Sequence, residues 1–280
     1  MSESLRTSSS KVERSRRPLS DRLRLGRGLV LFFAVGQLVS NLIFSVLFPN
    51  QLQSGVEFSP LVPPGAMFSI WAVIIVASIL YAVLQFRPAV RDSVLMDRLV
   101  APLCVVYAGF GAWLAAASLG QESPLTLVVF VFIVGAHFVA WRRISAARAE
   151  LATWTRLDRG VLYLSEGLYA GWTSMALFVN VATVLQATGA PITGPWGTTW
   201  QLLVIAAAAG TAVLFVVTSG GSLWYAVAAC YALVGAGTSS ALGGFPALAI
   251  ALGAGVAVVV GSTIVTRVLR SRRVRAVSAR

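Results

Sequence analysis

Glu166 is the one acidic side chain that lies deep within an apolar stretch of the sequence, and the single histidine, His137, lies in the preceding stretch. Successive stretches cross the membrane in opposite directions. His137 lies near the end of its stretch and Glu166 near the start of the next, so we expect the two residues at a similar depth. An ionisable group is costly to place in hydrocarbon, so it is either paired or used in function. The sequence predicts either an intramembrane polar pair in which each group satisfies the other, or a glutamate that extends to the interface, or a proton-coupled or ligand-linked role for the two residues.

Tryptophans supply a second candidate site. Of the eight present, four lie near the ends of apolar stretches, where an interface belt is expected: Trp141, Trp154, Trp196 and Trp200. Trp71, Trp113 and Trp172 lie further inside, which an interface belt does not explain. Aromatic faces at this depth either fill the core or bind a flat hydrophobic molecule by stacking.

Membrane-spanning helices must position these residues. A helix needs about 20 apolar residues to cross the hydrocarbon core, and eight such stretches occur, at roughly residues 28–48, 66–86, 99–119, 124–141, 161–185, 199–218, 222–237 and 244–266. With 57% hydrophobic and 11% charged residues, the composition excludes a water-soluble globule. The predicted fold class is an all-α polytopic membrane protein with about eight transmembrane helices.

Lysine and arginine, 22 in all, fall outside these stretches. They form four clusters that eight crossings place on one side of the membrane, whereas the alternate loops carry none. The positive-inside rule therefore predicts that both termini are cytoplasmic, in a bacterial-type cytoplasmic membrane. The net charge of +12 is explained by topology and by attraction to membrane lipids, so nucleic acid is not a predicted partner.

This topology brings aromatic and amide groups of four helices to a similar depth in the outer half of the membrane, facing the loop at residues 49–65. The residues at this depth are Asn41, Phe68, Trp71, Trp113, Trp172, Ala176 and Asn180. An apolar pocket with a few polar groups is the usual site for a small molecule. The predicted partner is therefore a hydrophobic small-molecule ligand.

Motifs of covalent catalysis are missing from the sequence. One histidine does not suffice for HExxH or another histidine-based metal site, and no Walker loop or GxSxG occurs. No two acids share a stretch for acid–base work. We expect neither an enzyme nor a bound metal or cofactor, and an intramembrane lipid-modifying enzyme is the least favoured interpretation.

Two motifs at the candidate site resemble those of a known family. Residues 63–71, PPGAMFSIW, resemble the PPxxxF…W signature of the TspO/MBR family, the tryptophan-rich sensory proteins related to the mitochondrial translocator (peripheral benzodiazepine receptor) protein. Tyr169, Trp172, Ala176 and Asn180 resemble its second signature, and their spacing puts them on one helical face.

The resemblance covers about residues 28–188 and implies a five-helix bundle that binds tetrapyrroles, sterol or isoprenoid-like lipids and synthetic aromatic molecules. By the resemblance, Trp71, Trp172 and Ala176 are ligand contacts and Asn180 helps to hold its helix. A tetrapyrrole would then be a ligand and not a cofactor. The predicted function is a membrane-embedded sensor or carrier, and the alternative is a proton-coupled small-solute or lipid transporter that uses Glu166.

The predicted domains are a disordered basic cytoplasmic tail at 1–27, the TspO-like bundle at 28–188, a three-helix extension at 189–268 and a basic cytoplasmic tail at 269–280. In the extension, Ala249, Gly253, Ala257 and Gly261 recur at every fourth position. Small residues so spaced let helices approach closely in lipid. They predict either packing against a neighbouring helix or a homodimer.

Overall fold

The structure, a computed structural model, describes residues 21–48, 58–120 and 123–278, and these contain helices and no strand. The helices are α1 (Asp21–Leu47), α2 (Ile70–Leu84), α3 (Val94–Ala117), α4 (Leu125–Ala146), the short α5 (Arg148–Thr153), α6 (Arg156–Ala187), α7 (Gly194–Ser219), α8 (Leu223–Leu242) and α9 (Pro246–Ser278). A 3-10 helix, Gly65–Ser69, leads into α2. Every helix except α5 forms part of a segment long and apolar enough to span a membrane. The predicted class, an all-α integral membrane protein with eight spans, is confirmed.

Both predicted tails are partly helical. Residues 1–20 and 279–280 lie outside the described part of the chain, but α1 already begins at Asp21 and α9 continues to Ser278. The predicted disorder is therefore wrong for residues 21–27. The start of α1 is held by Arg27, which is fully buried and places Nη2 2.6 Å from Asp97 Oδ1, while its Nη1 donates to the Gln85 carbonyl at 2.9 Å.

Arginine-bearing segments meet at one end of the bundle, which we term the arginine-rich end. These segments are the loops between α2 and α3 and between α4 and α6 and the last turns of α9, and the turn between α7 and α8, which carries no arginine, lies at the same end. The Arg87 guanidinium pairs with the buried Asp158 carboxylate across two of these segments. Their meeting agrees with the segregation of positive charge that the topology prediction uses.

The central helix is α6. It packs against α2, α4, α7 and α8, and its apolar segment is the most buried of the eight. Thr155 caps its first turn, since the hydroxyl accepts a hydrogen bond from the Asp158 amide at 3.2 Å. A helix that is enclosed on several sides can carry residues toward more than one site.

Glycines bring α6 and α8 into close contact. A Cβ atom on Gly171 would lie 2.5 Å from the Tyr225 carbonyl oxygen and 2.8 Å from the Ala228 Cβ. One turn earlier, a Cβ atom on Gly167 would lie 2.6 Å from the Trp224 Cβ. Only glycine fits at these distances, so the two backbones pack more closely than larger residues would allow.

The small-residue stripe of α9 is not used in this way. Nothing in the described chain lies within 4 Å of a Cβ placed on Gly253 or Gly261. Instead, α9 packs against α7 and α8, and its buried side chains include Leu248, Leu252 and Val259. The prediction that the stripe glycines pack closely against a neighbouring helix of the same chain is therefore wrong. The predicted homodimer stays a prediction.

Three of the four tryptophans predicted for an interface belt are buried between helices: Trp141, Trp154 and Trp200. Trp200 also donates its indole N–H to the Pro191 carbonyl at 2.8 Å, which fixes the start of α7. Only Trp196 is widely exposed, at 62%. Proximity to the end of an apolar stretch could not indicate which face of a helix each ring occupies.

The first prediction tests the contact between α6 and α8. Gly171→Ala should destabilise the fold by about 1–3 kcal/mol, because the added methyl group overlaps the Tyr225 carbonyl and must displace backbone. Gly210→Ala is the matched control, since Gly210 is exposed on α7 with open space beside it. Thermal unfolding in detergent should show a lower melting temperature for Gly171→Ala alone. Equal melting temperatures for both variants would mean that the close approach is not required.

The second prediction concerns orientation. Thr193 and Ala149 are both exposed and lie at opposite ends of the bundle. In a background without Cys104 and Cys230, Thr193→Cys should react with an impermeant maleimide in intact cells, and Ala149→Cys only after permeabilisation. The reason is the positive-inside rule, which places the arginine-rich end in the cytoplasm. The reverse labelling pattern would invert the topology.

Candidate functional site

His137 on α4 and Glu166 on α6 meet inside the bundle. His137 Nδ1 lies 2.7 Å from Glu166 Oε1, and both side chains are buried. The hydrogen bond gives each group a partner, which offsets the cost of removing it from water. The opposite ring nitrogen, His137 Nε2, is buried without a hydrogen-bond partner among the described residues. Residues that lie 29 positions apart in sequence thus form one polar unit.

Trp71 is the centre of an aromatic cluster in the half of the bundle that lies away from the arginine-rich end. Its ring lies 4.7 Å from Phe110, 5.8 Å from Trp113 and 6.2 Å from Trp172, measured between centroids. Phe68 meets Trp172 edge-on at 5.6 Å. Edge-to-face and offset contacts at these distances are favourable for aromatic rings. The predicted aromatic site residues are therefore brought together, from the 3-10 helix, α2, α3 and α6.

Tyr169 connects this cluster to the polar pair. Its ring lies 5.7 Å from that of Trp71 and 5.0 Å from the His137 imidazole. Its hydroxyl donates to Gln37 Oε1 on α1 at 2.8 Å. Gln37 was not among the predicted site residues, although an amide within an apolar stretch of α1 is the signal that could have found it. A continuous chain of contacts runs from Trp71 to Glu166.

Two spaces lie on different sides of Trp71. A groove of about 350 Å³ between α1, α2 and α3 is lined by Asn41, Phe68, Trp71, Ala72 and Trp113, among others. A crevice of about 20 Å³ is shared by Phe68, Trp71, Trp113, Trp172, Ala176 and Asn180. The second volume is enough for about one water molecule. Of the predicted ligand-binding residues on α6, Trp172, Ala176 and Asn180 line the crevice, whereas Tyr169 lines neither space. Those on the 3-10 helix, α2 and α3 line both the crevice and the groove.

Asn180 and Ala176 are tied to each other within α6. The Asn180 amide donates to the Ala176 carbonyl at 2.8 Å, four residues earlier in the same helix. This bond satisfies the amide locally and does not join α6 to another helix. By contrast, the indole N–H groups of Trp71 and Trp172 are buried without an acceptor among the described residues. Both N–H groups are enclosed by protein, so an acceptor on a ligand could reach them only after the surrounding side chains move.

The last three helices contribute to this region. Tyr231 on α8 donates its hydroxyl to the Met67 carbonyl at 3.2 Å, and Ser240 donates to the Pro60 carbonyl at 2.7 Å. Ala232 lines the crevice. The segment before α2 is thus held against α8 and not only against the first five helices. These contacts join positions more than 160 residues apart, which sequence spacing gives no means of pairing.

Metal ligands do not cluster in the described residues, where no three His, Cys, Asp or Glu side chains come together. The chemistry that the arrangement offers is stacking on Trp71 and Trp113, donation from indole N–H groups and a buried carboxylate paired with an imidazole.

Comparison with known proteins supports the resemblance seen in the two motifs. The sequence model of the family described as "TSPO-like protein" matches residues 28–265. Comparison with curated proteins and with solved structures gave no match. The matched range includes both motifs, at Pro63–Trp71 and at Tyr169–Asn180, and continues through α7 and α8 into α9. The chain therefore belongs to the family of TSPO-like proteins.

Proposed function

We propose that the protein binds a flat hydrophobic ligand in the groove between α1, α2 and α3. The observation that carries the proposal is a space of about 350 Å³ with the indoles of Trp71 and Trp113 in its wall. Small-molecule sites have volumes of about 300–1,000 Å³ and are mostly apolar with a few polar groups. Membership of the TSPO-like family supports a membrane-embedded binding protein.

The groove offers aromatic rings for stacking and few polar groups, which favours an aromatic ligand. The Trp71 and Trp113 rings are stacked on each other, with centroids 5.8 Å apart and planes inclined by 27°, and both line the groove, so a ligand can contact either ring. Asn41 offers a polar amide in the same groove. A tetrapyrrole-like or other aromatic molecule, or a sterol or isoprenoid-like lipid, is the ligand class that the family resemblance implies.

Entry from the bilayer suits such a ligand. Leu38 and Val76, which line the groove, are exposed apolar side chains on helices that face lipid. A hydrophobic molecule dissolved in the membrane can reach Trp71 between them without crossing water. Trp172 and Ala176 then lie behind Trp71, beside a crevice that only a rearrangement of the ring would open.

The third prediction tests whether the ligand binds in the groove or in the crevice. Ala72→Phe fills the groove and should lower the affinity for protoporphyrin IX at least tenfold, while Trp113→Ala should weaken it by about 1–3 kcal/mol through loss of a stacking surface. Ala176→Phe fills the crevice and should change the affinity little. Binding is measured by quenching of tryptophan fluorescence, and the quenching amplitude is recalibrated for each tryptophan variant. The proposed function is binding without covalent chemistry, so the ligand recovered from the protein should be chemically unaltered.

Trp196→Ala is the control, because Trp196 is exposed and lines neither space. Loss of binding in Ala176→Phe with normal binding in Ala72→Phe would move the ligand to the crevice and to Trp172. Normal binding in all three site variants would exclude both spaces.

A second candidate function is proton-coupled transport of a small solute or lipid. It is favoured by the buried Glu166 carboxylate, which is hydrogen-bonded to His137, and by Tyr169, which connects that pair to Trp71. Buried ionisable residues in membrane proteins commonly serve proton pathways. A ligand at Trp71 would lie two ring contacts away from the His137–Glu166 pair.

The fourth prediction separates transport from binding. Glu166→Gln keeps a hydrogen-bonding group opposite His137 but cannot exchange a proton, so it should bind protoporphyrin IX normally and lose accumulation driven by a pH gradient in proteoliposomes. Asp92→Asn, at an exposed carboxylate in the loop before α3, is the matched control. Accumulation that is independent of the gradient in the unmodified protein, or unchanged in Glu166→Gln, would contradict proton coupling.

A further inference from the structure

A cavity of about 760 Å³ opens at the arginine-rich end, far from the groove beside Trp71. Its walls come from α5, the start of α6, the turn between α7 and α8, and the last turns of α9. Four arginines line it: Arg148, Arg159, Arg267 and Arg270. Among the described residues, no acidic side chain lines the cavity and none forms an ion pair with any of the four arginines. The cavity therefore concentrates positive charge without a matching negative charge.

The turn between α7 and α8 holds these arginines in place. Gly220 and Gly221 adopt left-handed φ values of 73° and 81°, which favour glycine. Arg267 Nη1 donates to the Gly221 carbonyl at 3.2 Å. A Cβ atom on Gly220 would lie 2.9 Å from Arg148 Nη2 and 3.0 Å from Arg270 Nη1, so the absent side chain leaves room for two guanidinium groups side by side.

The positive charges grouped in the cavity repel one another when no anion is bound. Burial lowers the pKa of Arg148, and the neighbouring charge of Arg270 lowers it further. Ser222, which caps α8, and the first residues of that helix, Leu223 and Trp224, also line the cavity, so the amide end of the helix adds partial positive charge. An anion in the cavity would interact favourably with the arginines and with this helix end.

We propose that this cavity binds a phosphate ester anion, as the head group of an anionic phospholipid or as a soluble phosphate compound. Arginine guanidinium groups match phosphate oxygens in a bidentate geometry, and several arginines from different segments can share one phosphate. The site is distinct from the groove at Trp71 and does not depend on the function proposed there.

Apolar residues at the edge of the cavity favour the lipid source. Leu223 and Trp224 are 52% and 44% exposed, at the first turn of a membrane-spanning helix. They can contact the upper acyl chain of a lipid whose head group lies among the arginines. Basic pockets between transmembrane helices at the cytoplasmic side suit anionic head groups.

The fifth prediction compares three probes on the full chain in neutral detergent: phosphatidylglycerol, phosphatidylcholine and inorganic pyrophosphate. Binding is followed by native mass spectrometry and by the rise in melting temperature. Phosphatidylglycerol should bind and stabilise the protein, and the double variant Arg267→Gln/Arg270→Gln should bind it roughly 10- to 30-fold more weakly through loss of two cations near the head group. Arg142→Gln is the matched control, because Arg142 is an exposed arginine at the same end that does not line the cavity.

Arg148→Gln distinguishes loss of the site from loss of folding, since Arg267 also supports the turn. Without an added anion this variant should melt no lower than the unmodified protein, because it removes a repulsive charge, yet it should lose most of the stabilisation by phosphatidylglycerol. Stabilisation by pyrophosphate with little response to phosphatidylglycerol would identify a soluble phosphate compound as the ligand. Equal binding of phosphatidylcholine, or equal weakening by Arg142→Gln and Arg148→Gln, would overturn the proposal.

Discussion

The close approach of α6 and α8 at Gly167 and Gly171 is the contact that joins the crevice behind Trp71 to the arginine-lined cavity. In a bilayer, helices gain little from hydrophobic association because lipid chains are as apolar as side chains, so packing of small residues and polar contacts hold helices together. With glycine at both positions, α8 lies against the backbone of α6. At one end this places Tyr231 against Met67 and Ala232 beside the crevice. At the other end it places Trp224 and the glycine turn among the arginines.

Polar and aromatic side chains occupy different levels along the length of the bundle. A buried polar group in a membrane has no water to bond, so it must find a partner within the protein. The Arg27–Asp97 pair and the His137–Glu166 pair meet that requirement between helices, and Tyr169 meets it through Gln37. Beyond Tyr169 the interior becomes aromatic, and the indole N–H groups of Trp71 and Trp172 there have no acceptor among the described residues. The protein thus contains a charged end, a paired polar middle and an aromatic half, each suited to a different kind of ligand chemistry.

The number of spans and the residues of the aromatic cluster could be predicted from sequence because both depend on local composition: apolar length, and tryptophan or tyrosine within an apolar run. Contacts that depend on which face of a helix meets a neighbour could not. The regular stripe at Gly253 and Gly261 looked like a close-packing face, but the close contact is at Gly167 and Gly171, a single pair of glycines four residues apart in α6. Burial of Trp200 has the same origin, since depth does not determine orientation.

The position of Trp71 as a shared wall constrains how any ligand can act. On one side of the indole lies a ligand-sized groove, and on the other lies a crevice of about 20 Å³ enclosed by Trp113, Trp172 and Ala176. A packed aromatic ring cannot move into a space the size of one water molecule without displacing its neighbours. Binding in the groove therefore needs no rearrangement, whereas passage through the bundle requires the whole cluster to shift. Any signal from the groove to Glu166 must travel through the ring of Tyr169, because Tyr169 contacts both Trp71 and His137. Reversible binding on one face of Trp71 is accordingly the less demanding of the two proposed functions, and transport would require α6 to move relative to α2.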